Sequence, residues 1–246
     1  MTSENNKNRQ LSITGNRPVS GKEHNDNYVI VIGREFGSGG RTIGKIIANR
    51  LGIEYYDTHL LQKAAEAEGV SPGVFKKMEE KKPSFLKTLL QGAYGIPDNF
   101  HTVPLSEERI YKVQSKLIKD LCRKSSCVIV GRNADFILRE HPRMLSVFLH
   151  SPLEERVDRI LSRREAESRQ EAEEMALSHD KRRESFYNYY TGDKKWGVAS
   201  NYHISIDTSG LDNEKIADII IAYAEMRSVA PPHGEESPGN KGRHAF

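Results

Sequence analysis

The sequence predicts an α/β fold, a parallel sheet with helices on both faces. Short β-branched runs alternate with stretches of helical periodicity across residues 28–227. The first apolar run passes through a glycine-rich turn directly into an amphipathic helix. Polar residues collect just after the apolar runs, at the strand ends where open α/β sheets bind ligands.

The elements follow in order. Tyr28–Gly33 is a short β-branched run that suits a buried parallel strand. From Thr42 to Leu51, Ile43, Ile46, Ile47 and Leu51 share one helical face, and Gly52 ends the helix. Ile53–Tyr56 reads as a second strand with Asp57 at its tip, and helices are expected at 59–68 and 71–82. Residues 83–104 carry glycines, prolines and aromatics and read as a surface insertion. The stretch 105–123 is a long helix with Ile110, Val113, Leu117, Ile118 and Leu121 facing inward, and Ser106, Glu107 and Glu108 suit its N-terminus. Cys127–Val130, Leu145–Leu149 and His203–Ile206 are further strands, and Asn213–Arg227 closes the domain as a helix.

Residues 1–27 and 228–246 are polar or rich in proline and glycine and read as disordered tails. The 246 residues are 29% charged and 37% hydrophobic, which suits one soluble α/β domain. A net charge of +3 is too small to argue for nucleic acid or a membrane surface. Cys122 and Cys127 form neither a disulfide framework nor a metal-ligand set, and buried free thiols are expected. With no apolar run of membrane length and no signal-peptide core, a cytoplasmic protein is expected.

The glycine turn is the sharpest feature. Glycines let the backbone bend tightly and bring its N–H groups to an anion, and the following helix adds its dipole. Gly37, Ser38, Gly39, Gly40, Arg41 and Thr42 fit such a phosphate cradle. The usual P-loop spells G-x-x-x-x-G-K-[ST]. Placing Arg41 on the lysine keeps Gly40 and Thr42 but puts Glu35 on the first glycine. Shifting by one supplies Gly39 but puts Gly40 on the lysine. The turn is a variant in either register.

Other polar residues follow the strands. Asp57 and Thr58 either cap the next helix or contact a substrate hydroxyl or metal-bound water. Arg132 leaves the end of an apolar strand after Gly131, with a planar fork suited to phosphate. Arg156, Arg159, Arg163, Arg164, Arg169, Arg182 and Arg183 lie on two basic helices around a turn at Ser168-Arg169. Such helices are either solvated faces or a mobile lid over a phosphoryl-transfer site. Tyr187, Tyr189 and Tyr190 either pack that lid or stack on a base.

The segments Gly33-Arg34-Glu35-Phe36-Gly37-Ser38-Gly39-Gly40-Arg41, Gly52-Ile53-Glu54-Tyr55-Tyr56-Asp57, Val128-Ile129-Val130-Gly131-Arg132 and Tyr189-Tyr190-Thr191-Gly192 resemble the cytidylate-kinase-like family. The likeness runs from Tyr28 to Met226. It implies a P-loop NTPase fold with a helical lid at 156–200 and an acceptor-binding insertion at 58–104. It implies transfer of the ATP γ-phosphoryl group to CMP or dCMP with Mg²⁺, and a small nucleotide as the partner. Carried over by motif, Gly37 to Thr42 would hold the ATP phosphates and Thr42 the metal. Asp57, Thr58, Arg132, Asn133, Asp180 and Arg183 would meet the acceptor. Arg41, Arg132, Arg159 and Arg183 would supply the catalytic charge. Asn133 stands where the family has an aspartate, and the P-loop lysine is absent or replaced by Arg41. Two other functions follow from those departures: a nucleotide-binding regulatory module, or a P-loop kinase for a different small acceptor.

Overall fold

The computed structural model describes residues 26–59 and 107–231. The expected helices at 59–68 and 71–82 and the expected insertion therefore lie almost wholly outside the described residues. So do most of both expected tails.

Five strands form one parallel sheet in the order β2-β3-β1-β4-β5. They are β1 (Val29–Arg34), β2 (Glu54–Tyr56), β3 (Cys127–Val130), β4 (Met144–His150) and β5 (Ile204–Asp207). Val31 pairs with Ile129 on one side and Ser146 on the other, which puts β1 at the centre. The helices among the described residues are α1 (Gly40–Leu51), α2 (Glu107–Lys124), α3 (Ala134–Ile137), α4 (Leu153–Ser162), α5 (Arg169–Thr191) and α6 (Asn213–Met226).

Side chains alternate across a strand, so β1 feeds two layers. Ile30 and Ile32 join Ile43 and Ile47 of α1 and Ile216, Ile220 and Ile221 of α6. Val29 and Val31 face the other way and join Leu117, Ile118 and Leu121 of α2. A third, smaller cluster pairs Val157 and Ile160 of α4 with Ala172 and Ala176 of α5. The first layer runs past the expected end of the domain, for Val229 and Ala230 are buried in it. Cys122 and Cys127 are buried and free, with sulfurs 3.6 Å apart.

The helix ends follow local chemistry. Gly39, in the left-handed region at φ 89°, starts α1, and Gly52, at φ 62°, ends it. Ser168 caps α5 by accepting the Glu171 N–H at 3.1 Å. Pro152 is the cap residue of α4. From β1 the chain moves to one side for β2 and β3, then to the other for β4 and β5. The direction reverses at the carboxyl end of β1, the position where such sheets open a crevice.

Candidate active site

At that reversal lies a hollow of about 300 Å³. Its walls come from the end of β1 (Gly33, Arg34), the turn that follows it (Phe36), the start of α1 (Arg41), the turn after β3 (Gly131, Arg132, Asn133) and α5 (His179, Arg182, Arg183). Asp135 of α3 is the carboxylate in its lining among the described residues, set against the five arginines Arg34, Arg41, Arg132, Arg182 and Arg183.

A clasp holds the glycine turn in place. Asp180 accepts the Phe36 N–H at 2.7 Å and pairs with Arg156 Nη1 at 2.5 Å. Arg156 also donates to the Phe36 carbonyl at 3.2 Å and, through Nε, to the Ser151 carbonyl at 3.0 Å. Glu35 stands 3.4 Å from the same Nε and accepts the Ser151 N–H at 3.1 Å. The turn is thus bolted to α4 and α5. Gly37 is required here: its φ is +86°, and a Cβ would lie 2.8 Å from the Arg156 backbone oxygen. The N–H groups that open α1 have no intrahelical acceptor.

The turn after β3 is strained. Gly131, Arg132 and Asn133 have φ of 83°, 62° and 52°, three left-handed residues in a row. Gln114 of α2 anchors them by donating to the Arg132 carbonyl at 3.2 Å. Arg132 Nε donates to the Thr58 hydroxyl at 3.2 Å, joining two residues that the sequence separates by 74 positions. Asn133 is buried, and its Nδ2 has no hydrogen-bond partner among the described residues.

Charge shapes the titrating groups. Burial lowers the Arg34 pKa well below its usual value, helped by Arg183, Arg41 and Arg132. Burial also lowers Arg183, to about 10, against the pull of Asp180. Arg183 donates to the Arg34 carbonyl at 3.3 Å and lies over the Phe36 ring. His179 stacks on the Phe36 ring, with centroids 4.2 Å apart and the planes nearly parallel. Burial and then Arg182, Arg183, Arg41 and Arg34 push its pKa down to about 4, so it is neutral at physiological pH. Burial raises Asp180 despite the Phe36 N–H and the two arginines. Burial raises Asp135 too, although the Tyr187 hydroxyl donates to it at 2.9 Å.

The hollow thus gathers Arg41, Thr58, Arg132, Asn133 and Arg183 from the residues expected at the site. The others stand elsewhere. Asp180 braces the turn through Phe36 and Arg156. Ser38 is buried and donates to the Glu35 carbonyl at 2.9 Å. Asp57 accepts the His59 N–H at 3.0 Å, as a helix cap does. Arg159 donates to the hydroxyl and carbonyl of Thr208 and pairs with Glu155, outside the lining. Gly37, Gly39, Gly40 and Thr42 form the turn and first helical turn beside the hollow. Tyr190 stacks on Tyr111 of α2 at 3.8 Å, so it packs α5 to the body. Arg34, Phe36, His179 and Asp135 line the hollow without having been singled out. For Arg34 the available signal was its place on the last residue of an apolar strand.

A donor set of five guanidinium groups around one carboxylate fits a polyanion such as a nucleotide polyphosphate. Among the described residues, no group of three or more His, Cys, Asp and Glu is placed to hold a metal ion. Thr42, exposed on the first turn of α1, offers a single hydroxyl.

Residues 29–210 match the profile of the Cytidylate kinase-like family. A cytidylate kinase of Methanosarcina barkeri (strain Fusaro / DSM 804) is 28% identical over 191 residues, covering 75% of this chain and 89% of that one. An uncharacterized protein from Eubacterium ventriosum ATCC 27560 is 27% identical and superposes with a TM-score of 0.60, covering 81% of this chain and 99% of its own. A shikimate kinase from Acinetobacter baumannii in complex with shikimate is 16% identical, with a TM-score of 0.46 over 82% of this chain and 94% of its own. With a P-loop α/β sheet, a cationic hollow at its switch point and a family match over most of its length, the chain belongs to the cytidylate kinase-like family of ATP-dependent phosphotransferases.

Proposed function

We propose that this chain is a nucleoside monophosphate kinase that moves the γ-phosphoryl group of ATP to CMP or dCMP. The observation that carries the reading is the convergence of arginines from four separate segments on one hollow beside the glycine turn. In the reaction, the bond from the γ-phosphorus to the ADP oxygen breaks and a bond to an acceptor phosphate oxygen forms. ADP leaves with the electrons of the broken bond. A phosphate nucleophile needs no strong base, so positioning and charge neutralisation supply most of the acceleration.

The residues then divide the work. The amides of Gly39, Gly40 and Arg41 face the donor phosphates. Arg41 and Arg183 neutralise charge around the transferred group. Arg183 keeps its proton at neutral pH even with its pKa lowered to about 10. Arg132, fixed by Thr58, holds the acceptor phosphate. Phe36 and His179 form an apolar ledge that helps exclude water. Mg²⁺ of this kind usually enters on the nucleotide phosphates with few protein ligands; Thr42 is the hydroxyl proposed to meet it.

Asn133 favours a second reading, a P-loop kinase for a different small acceptor. Its unpartnered Nδ2 is a donor and would seek an acceptor atom, where an aspartate would seek a donor. An ATP-consumption assay over a panel of nucleoside monophosphates, with Arg41→Ala and Arg132→Ala, tests both. Turnover on CMP or dCMP that both variants lose supports the first reading. Turnover only on another acceptor supports the second. Tight ATP binding with no turnover on any acceptor overturns both in favour of a regulatory module.

A further inference from the structure

We infer that Arg34 is the residue that does the work of the missing P-loop lysine, binding the phosphoryl oxygens in the hollow from the end of β1 rather than from the glycine turn. This rests on the phosphate reading of the hollow given above.

The lysine of a P-loop sits directly after the second glycine of the pattern and carries its charge to the phosphates on a flexible stem. When Gly39 takes the place of that second glycine, the lysine position is Gly40 and the first-glycine position is Arg34. The two residue types have exchanged places. The structure gives the exchange a physical form. A Cβ on Gly40 would meet the stem of Arg34, at 2.9 Å from Cγ and 3.1 Å from Cβ. The space that a side chain at 40 would need is filled by the arginine that has replaced it.

Gly131 completes the channel. A Cβ there would overlap the Arg34 Nη1 atom, and Cζ would be 2.9 Å away. Two glycines from different segments thus leave room for one side chain, whose guanidinium ends in the hollow. No hydrogen bond or ion pair reaches that guanidinium among the described residues, although it lies close to Arg183, Arg41 and Arg132. A half-buried cation surrounded by cations costs stability unless an anion answers it. The neighbouring clasp gives Arg156 two carboxylates, and among the described residues no carboxylate pairs with Arg34. The arrangement suits a ligand carrying several negative charges.

The test is calorimetric titration of the full chain with sodium tripolyphosphate at fixed ionic strength, alongside melting of the ligand-free protein. The proteins are wild type, Arg34→Met, Gly40→Lys and the double variant Arg34→Ala/Gly40→Lys. Wild type binds, and Arg34→Met weakens binding by about ten- to a hundredfold, the range for lost charge-assisted hydrogen bonds. The melting temperature of ligand-free Arg34→Met stays level or rises, because a half-buried charge among other cations has gone. Gly40→Lys alone also weakens binding, and the double variant regains affinity over both single changes. If wild type binds tripolyphosphate and Arg34→Met binds it equally well, the assignment to Arg34 is overturned while the phosphate reading stands. A fall in both affinity and melting temperature for Arg34→Met overturns it in favour of a structural role. A double variant no tighter than either single one overturns the shared space. Failure of wild type to bind tripolyphosphate overturns the phosphate reading itself.

Discussion

Arg34 and Arg156 flank the same glycine turn and stand in opposite electrostatic settings. Arg156 is 6% exposed and bonded to Asp180, two carbonyls and, more loosely, Glu35. Arg34 is packed between glycines and faces three other arginines. The contrast separates structure from function among the charges around the turn. A charge that the protein has already answered holds the fold, and a charge left unanswered is kept for something else. The clasp and the hollow are therefore two regions with separable failures, one in stability and one in turnover.

The largest expected effect falls on the clasp. Asp180→Ala removes the carboxylate from both Arg156 and the Phe36 N–H. Breaking one side of a buried pair strands the other, at a cost of about 3–5 kcal/mol. Chemical denaturation of the two proteins measures it. A loss under about 1 kcal/mol would mean that the clasp does not hold the turn, since even an exposed ion pair reaches that size. In the hollow, Arg132→Ala should leave the denaturation midpoint close to wild type and cut turnover by roughly 10²–10³, the scale of one lost transition-state donor. Steady-state kinetics and melting of one preparation give both readings. A variant that loses stability instead of turnover would move Arg132 into the clasp class.

A third change sits on the border between the regions. Gly37→Ala forces a side chain into φ +86° and against the Arg156 backbone. The strain should cost about 1–3 kcal/mol. Urea titration of the two proteins checks it, and a loss well under about 1 kcal/mol would show that the turn relaxes around the added methyl group.

Much of this was legible in the sequence. Each described strand and α1, α2 and α6 lie within a few residues of where β-branching, 3.6-residue periodicity and glycine caps put them. The glycine turn and Arg132 were legible because local order alone, strand then turn then helix, brings them to the carboxyl edge of the sheet. The clasp was not. Arg156 meets Phe36 across 120 residues, and nothing in the spacing of charges on α4 distinguishes Arg156, which is buried, from Arg159, which turns to Thr208. Arg34 was hidden for a different reason. Its place at the end of an apolar strand is visible in the sequence, but the room that Gly131 leaves for its guanidinium comes from a segment almost a hundred residues away and has no local signature. The short α3 was also missed, since its four residues are too few to show periodicity.

The smallest expected effect ties the two regions together through a proton. In the fold His179 has its pKa lowered to about 4 by burial and by the arginines around the hollow. In the unfolded chain it titrates near 6.5. Below that value the unfolded state takes up a proton that the folded state refuses until about pH 4. The stability His179 contributes is therefore complete above about pH 6.5 and declines as the pH falls toward 4. His179→Phe keeps the stack on Phe36 but has no proton to exchange, so its melting temperature should fall less between pH 7 and pH 4.5 than that of wild type. The side chain is half-buried, so solvent keeps the difference modest. Tripolyphosphate supplies a second readout. Burial does most to hold the proton off, and an anion among Arg34, Arg41, Arg182 and Arg183 offsets the arginines' smaller share, so the His179 pKa rises and the acid decline of wild type becomes shallower. Equal slopes with and without the anion would show that His179 does not sense the hollow, and that the charge cluster and the ledge beside it act independently.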